Sequence, residues 1–132
     1  MELYGEIIID NYENPRNKGS MENADAKFHE LNTTCGDEIT MYIKVKDGKI
    51  EDVKFEGKGC AISMATASML TEAVKGKSIK DIEKLDFEFI KKLIGLDPGP
   101  ARLKCATLSL KTLKGAVFIY EHKPMDEATK RL

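Results

Sequence analysis

Three cysteines lie far apart in this chain of 132 residues, and each has a distinctive local sequence. Cys35 lies in Thr-Cys-Gly-Asp, Cys60 in Gly-Lys-Gly-Cys-Ala and Cys105 in Leu-Lys-Cys-Ala. With the carboxylate of Asp37 they make a set of four ligands, and thiolates select zinc or iron–sulfur clusters over magnesium or calcium. Lasting clusters are normally held by four cysteines, so an oxygen ligand indicates a site that accepts a metal group and later releases it.

The alternative is that the three cysteines are ordinary core residues, since free cysteine is among the most buried residue types. Gly36 follows Cys35 and Gly59 precedes Cys60. These glycines remove side-chain bulk and allow a ligand or a backbone N–H group to approach the sulfur closely. A core cysteine does not need such neighbours, so the local sequence favours the metal site.

Composition predicts one domain, residues 1–132, because 42% of the residues are apolar and no stretch has the composition of a linker. The 21 basic and 22 acidic residues balance, which gives no electrostatic basis for binding nucleic acid or an anionic membrane. The N-terminus lacks the basic region of a signal peptide, and the apolar stretches are too short to span a membrane. With an odd number of cysteines, this predicts a cytoplasmic protein with reduced thiols.

Hydrophobic periodicity predicts a small antiparallel sheet. Residues 39–46 alternate between apolar and polar side chains, Asp47-Gly48 is a typical two-residue hairpin turn, and 49–56 return as a second strand. A change of parity between Ile50 and Val53 predicts a bulge. Residues 28–31 predict a third strand.

Helical spacing and capping residues predict the remaining elements. An N-terminal helix ends before Asn14-Pro15, and a largely buried helix covers 61–75. Ser78 and Asp86 cap two short helices, Asp97-Pro98-Gly99-Pro100 forms a rigid turn, and a last helix begins at Cys105. The fold class is therefore α+β: a three-stranded antiparallel sheet with helices packed on one face.

These elements also place the candidate ligands. Cys60 and Cys105 fall at helix starts, where backbone N–H groups and the helix dipole stabilise an anionic thiolate. Cys35 and Asp37 point the same way if the backbone is extended. Regular alternation would put them on the face of Ile39, so either Gly36 turns the chain or the site lies where that face opens at the sheet's edge.

Five ordered segments resemble the iron–sulfur cluster assembly scaffolds of the IscU, SufU and NifU N-terminal type, over nearly the whole chain. They are Asn14–Asn17, Cys35–Asp37, Gly57–Ser63, Ala67–Leu70 and Lys104–Ala106. The resemblance implies a scaffold that receives sulfur from a cysteine desulfurase, assembles a transient [2Fe–2S] cluster with iron and transfers it to apo-proteins. It implies Cys35, Asp37, Cys60 and Cys105 as ligands, and leaves open whether the chain forms a homodimer.

Within this interpretation, Cys35 and Cys105 are the candidate sulfur acceptors, and Lys104 is a secondary candidate for contact with a bound anion or the desulfurase. The segment 97–104 lacks both the histidine before the third cysteine and the Leu-Pro-Pro-Val-Lys chaperone-binding stretch of IscU-type scaffolds. It is more similar to the SufU branch, although the chain is too short between Cys60 and Cys105 for that branch's insertion.

Two other functions use the same residues. The first is a zinc-binding sulfur acceptor that activates a SufS-type cysteine desulfurase, in which the four ligands hold zinc. The second is a thiol redox enzyme, which is disfavoured because there is no Cys-x-x-Cys pair and no histidine near any cysteine. Three thiolates and one carboxylate suit both zinc and a cluster, so the sequence leaves that choice open.

Overall fold

The computed structural model describes the backbone of residues 2–33 and 36–132, and the side chains of residues 5–33 and 36–132. Cys35 therefore lies outside the described residues. The strands are β1 (Ala26–Asn32), β2 (Asp37–Lys46) and β3 (Lys49–Lys58), and the helices are α1 (Glu2–Glu13), α2 (Ala61–Val74), α3 (Ile79–Glu83), α4 (Phe87–Ile94), α5 (Leu103–Tyr120) and α6 (Glu127–Lys130). This architecture confirms the predicted α+β class.

The three strands form one antiparallel sheet in the order β1-β2-β3. Asp47 and Gly48 have φ angles of 55° and 74°, as a tight hairpin between β2 and β3 requires. Lys44 pairs with Asp52 and Val45 pairs with Ile50, so Glu51 is an extra residue in β3. The bulge predicted from the change of parity is therefore confirmed.

One face of the sheet is covered and carries the core. Along β2, the buried positions Asp37, Ile39, Met41 and Ile43 alternate with partly exposed ones. Helix α5 packs on β1 and β2, and α2 packs on β3 and on α5. Asp37 is therefore a charged residue at the end of an otherwise apolar buried row.

Helices α2 and α5 form the second layer. Both are buried along most of their length, as the scarcity of polar positions in 61–75 predicted for α2. Among the described residues, none of the helices combines the length and the apolar character needed to cross a bilayer.

Side-chain caps define the short helices as predicted. Ser78 accepts the N–H of Asp81 at the start of α3, and Asp86 accepts two N–H groups at the start of α4.

The segment 97–100 differs from the prediction, because Pro100 begins a 3-10 turn (Pro100–Arg102) that leads directly into α5. Proline suits the first position of such a turn because its missing N–H would have no partner there. Helix α5 thus begins two residues before Cys105.

The Asn14–Ser20 segment packs between α2 and β3. The N–H of Arg16 donates to Ser68 Oγ at 2.8 Å, and the N–H of Phe55 donates to the carbonyl of Asn17 at 2.9 Å. The guanidinium of Arg16 pairs with Asp10 of α1 at 2.6 Å. Arg16 therefore holds this loop to the helices beside it.

The contact between α5 and β1 gives a prediction for Gly115→Ala. A Cβ at residue 115 would overlap the ring of Phe28, including Cγ at 2.8 Å, so the ring would have to move. We expect overpacking to destabilise the fold by about 1–3 kcal/mol, measured as the free energy of unfolding in denaturant.

Gly5→Ala is the matched control, because Gly5 lies in α1 and a Cβ there meets nothing within 4 Å. Alanine at this position should stabilise the protein by about 0.5–1 kcal/mol through helix propensity. An increase in stability for Gly115→Ala would show that α5 does not pack on β1 as described.

Candidate metal centre

The carboxylate of Asp37 is the centre of the candidate site. Its side chain is only 3% exposed, and both oxygens accept hydrogen bonds from α2 and the residue before it. Oδ1 accepts the N–H of Cys60 at 3.2 Å, and Oδ2 accepts the hydroxyl of Ser63 at 2.5 Å. Hydrogen bonds of this kind offset the cost of burying a carboxylate.

Asp37 and Gly36 show features of both predicted geometries. Asp37 continues the alternation of β2 and shares the buried face with Ile39. Gly36, with a φ of 78°, changes the backbone direction only before Asp37. Asp37 therefore lies at the end of the buried face, at the first residue of the central strand β2, and Gly36 turns the chain immediately before it.

Cys60 is the N-cap residue of α2, as predicted, and has an extended backbone with φ −71° and ψ 167°. Its side chain makes no capping hydrogen bond, and Asp37 from β2 accepts its N–H instead. A carboxylate at a helix N-terminus is favoured by the dipole and by the unpaired N–H groups of the first turn. The thiol of Cys60 is partly exposed.

Cys105 is the third residue of α5 and is 4% exposed. The turn that begins at Pro100 sets the start of α5 and so brings Cys105 beside α2. Its carbonyl oxygen lies 3.1 Å from Ser63 Oγ. Cys105 therefore faces the same point as Asp37 and Cys60 from a third element of the fold.

The three described ligand candidates converge. One carboxylate oxygen of Asp37 and the sulfurs of Cys60 and Cys105 all lie within 4.8 Å of one another. Two thiolates bound to one tetrahedral zinc ion are separated by roughly 3.8 Å, given Zn–S bonds of about 2.3 Å. Small side-chain movements would bring these atoms onto one metal. The prediction for Cys35 concerns a residue outside the described part of the chain.

Gly59 allows this convergence. A Cβ at residue 59 would lie 2.5 Å from Asp37 Cγ and 2.7 Å from Oδ1. The glycine beside Cys60 was predicted to remove bulk near the sulfur. In the structure, the space that its missing side chain leaves is occupied by the Asp37 carboxylate.

Lys104 is exposed, and its ammonium group donates to the carbonyls of Arg131 and Leu132 at 2.6 and 2.7 Å. It therefore holds the chain after α6 against the first turn of α5. The idea that Lys104 contacts a bound anion or a desulfurase stays a prediction.

Ser63 was not among the predicted site residues. It lies three residues after Cys60, so the two share one face of a helix. A hydroxyl one turn after a candidate ligand at a helix start is a signal that could have identified it.

The role of Gly59 gives a test of the site. Gly59→Ala places a methyl group against the Asp37 carboxylate, while the backbone there lies outside the left-handed region and tolerates alanine. We expect the displaced carboxylate to weaken Zn²⁺ binding by about 10-fold or more, measured by competition with a chromophoric chelator.

Lys58→Ala is the neighbouring control, because the Lys58 side chain is 81% exposed and lies in the same segment. It should leave Zn²⁺ affinity unchanged. If Gly59→Ala and Lys58→Ala bind Zn²⁺ equally well, the Asp37 carboxylate is not held against residue 59 in the metal-bound protein.

Comparison with known proteins agrees with this geometry. The family model described as the NifU-like N-terminal domain matches residues 3–127. The chain is 42% identical to the zinc-dependent sulfurtransferase SufU of Bacillus subtilis, with 87% of this chain and 89% of the relative covered. It is 40% identical to the iron–sulfur cluster assembly scaffold protein IscU 1 of Archaeoglobus fulgidus, with 92% and 78% covered.

A solved structure is also similar. It is described as a candidate iron–sulfur cluster assembly scaffold for the SUF system of Fervidobacterium islandicum. The TM-score is 0.76 at 32% identity, and the alignment covers 88% of this chain and 97% of that chain. The match of the family model over most of the chain and the identity to these relatives establish that this protein belongs to the NifU-like N-terminal domain family.

Proposed function

We propose that this protein is a non-enzymatic scaffold on which a transient [2Fe–2S] cluster is assembled and then passed to apo-proteins. The observation that carries the proposal is the convergence of Asp37, Cys60 and Cys105, whose ligand atoms lie within 4.8 Å of one another. Cys35, two residues before Asp37, is the proposed fourth ligand. The names of the IscU relatives support the same function.

The ligand set explains why the cluster would be transient. Thiolates suit iron–sulfur clusters, whereas a carboxylate is a hard donor that binds the same iron less tightly. The N–H of Cys60 and the hydroxyl of Ser63 donate to the carboxylate, so it would keep two hydrogen bonds after it left the metal. Asp37 is therefore the ligand that an incoming thiolate of an acceptor protein would displace first.

Sulfur would arrive by thiol–persulfide exchange. A thiolate of this chain attacks the outer sulfur of a persulfide on the desulfurase, a new S–S bond forms, and the desulfurase cysteine leaves as a thiolate. Reduction of that sulfur to sulfide takes two further electrons from an external reductant. In this function, the protein would pass on the cluster and its iron and would not keep them as a permanent cofactor.

The acceptor thiol must be reachable. Cys35 and Cys105 are the proposed acceptors, and the 4% exposure of Cys105 means that the first turn of α5 would have to open before it could react. The partial exposure of Cys60 adds a third candidate.

The second candidate function is a zinc-dependent sulfur acceptor that works with a SufS-type desulfurase. The identity of 42% to the SufU sulfurtransferase favours it, as does the absence of a histidine before Cys105. Zinc would be held by the same four residues. In both functions, residues 1–132 act as one domain with a desulfurase as partner, in the cytoplasm.

Reconstitution distinguishes the two functions. Incubation with ferrous iron, cysteine and a cysteine desulfurase without oxygen should give a brown protein, because sulfide-to-iron charge transfer absorbs visible light. Iron and acid-labile sulfide should be found in equal amounts. A protein that stays colourless while it binds one equivalent of zinc would support the sulfur acceptor and contradict the scaffold.

Asp37→Ala tests the proposed role of the carboxylate. The variant should still load a cluster, because three thiolates remain and water or a partner's side chain can complete the site. It should hold the cluster longer and transfer it to an apo-ferredoxin several-fold more slowly, since the easily displaced ligand is gone. Loss of visible absorbance in air and the rate of ferredoxin formation measure the two effects.

Cys60→Ala and Cys105→Ala are the comparison variants, and each should reduce cluster loading because it removes a thiolate. The metal-free Asp37→Ala protein should also unfold more easily, by about 1–3 kcal/mol, because the buried N–H of Cys60 and hydroxyl of Ser63 lose their acceptor. If Asp37→Ala loses its cluster as fast as the cysteine variants, the carboxylate is a necessary ligand and does not promote release.

A further inference from the structure

Ser63 contacts all three described ligand residues. Its side chain is fully buried in the first turn of α2. Ser63 Oγ lies 2.5 Å from Asp37 Oδ2, 3.1 Å from the carbonyl oxygen of Cys105 and 3.7 Å from the sulfur of Cys60. This hydroxyl therefore joins β2, α2 and α5 at the site.

The hydroxyl has one hydrogen to donate, and the distances indicate where it goes. A carboxylate is a stronger acceptor than a backbone carbonyl, and the distance to Asp37 is the shorter by 0.6 Å (3.1 Å against 2.5 Å). The hydrogen thus lies toward Asp37, and the carbonyl of Cys105 has at most a minor share of it.

We propose that Ser63 is a positioning residue: it fixes the orientation of the Asp37 carboxylate and so sets how tightly the carboxylate binds the metal. This inference rests on the proposed metal site. The N–H of Cys60 holds Oδ1 and the hydroxyl of Ser63 holds Oδ2, so two donors on neighbouring positions of one helix turn prevent the carboxylate from rotating. Without Ser63, this helix turn holds only Oδ1, so the carboxylate is less firmly oriented toward the sulfurs.

Burial supports a specific role for this hydroxyl. Ala67 lies four residues after Ser63 on the same face of α2 and is also buried, so this face accepts a methyl side chain. A hydroxyl buried there is costly unless it is hydrogen-bonded. Partners that orient a metal ligand in this way typically contribute 10- to 100-fold to metal affinity.

The chain offers a matched control in Ser68. This serine is also fully buried in α2, but its hydroxyl donates to Asn11 Oδ1 at 2.6 Å and accepts the N–H of Arg16. Its partners belong to α1 and the loop after it. Ser68→Ala therefore removes an equally buried hydroxyl from the same helix without affecting the ligands.

The test is a double-mutant cycle on Zn²⁺ affinity at one fixed pH, using wild type, Ser63→Ala, Asp37→Ala and the double variant. Ser63→Ala should weaken Zn²⁺ binding by about 10-fold or more, and Ser68→Ala should not change it. The double variant should bind as Asp37→Ala does, because Ser63 acts through Asp37. With Co²⁺ as the probe, Ser63→Ala should keep thiolate-to-cobalt charge transfer while its d–d bands shift toward those of Asp37→Ala.

If Ser63→Ala fails to fold, which circular dichroism of the metal-free protein would show, the cycle is measured in the Gly5→Ala background, which is expected to be more stable. Wild-type Zn²⁺ affinity in Ser63→Ala would overturn the inference. The inference would also fail if Ser63→Ala lowered Zn²⁺ affinity by the same factor in the Asp37→Ala protein as in the wild type. Ser63 would then act as a ligand itself or through the fold. If the wild-type protein binds neither Zn²⁺ nor Co²⁺, the proposed metal site is overturned as well. If Asp37→Ala binds Zn²⁺ more weakly than wild type but Ser63→Ala does not, only the inference about Ser63 fails.

Discussion

The hydrogen bonds from the start of α2 to the Asp37 carboxylate connect the end of the sheet to the helices that cover it. Asp37 occupies the last position of a buried row on β2, and it is stable there because Cys60 and Ser63 donate to its two oxygens. Those bonds also place the sulfur of Cys60 beside the carboxylate. The contact that satisfies this buried charge therefore also brings together two of the proposed ligands.

This constraint gives the site a mixture of rigid and exchangeable parts. Cys105 is held in the first turn of the buried helix α5, and Gly59 leaves just enough space for the Asp37 carboxylate. In the proposed metal site, the Asp37 carboxylate would keep the hydrogen bonds from Cys60 and Ser63 when it left the metal, so it would not become unsatisfied. A preorganised site with one replaceable ligand is suited to holding cargo for a limited time.

Most of the fold could be predicted from the sequence, because its signals are local. The alternation in β2, the turn at Asp47-Gly48 and the caps Ser78 and Asp86 each depend on a few neighbouring residues, and the structure has all of them. Asp37, Cys60 and Cys105 could also be recognised from the sequence as candidate metal ligands. Their convergence was only inferred, since it depends on packing between β2, α2 and α5. The part played by Ser63 and the hold of Lys104 on the chain near Leu132 were missed, because both join residues distant in sequence.

The central claim is that one carboxylate and the cysteine thiolates bind the same metal. X-ray absorption at the zinc edge of protein loaded with one equivalent of Zn²⁺ tests it most directly. If Asp37 and the three cysteines bind the same zinc ion, the spectrum should fit a shell of three sulfurs at about 2.3 Å and one oxygen, from Asp37, at about 2.0 Å. A shell of four sulfurs, or one with fewer than two sulfurs, would contradict it.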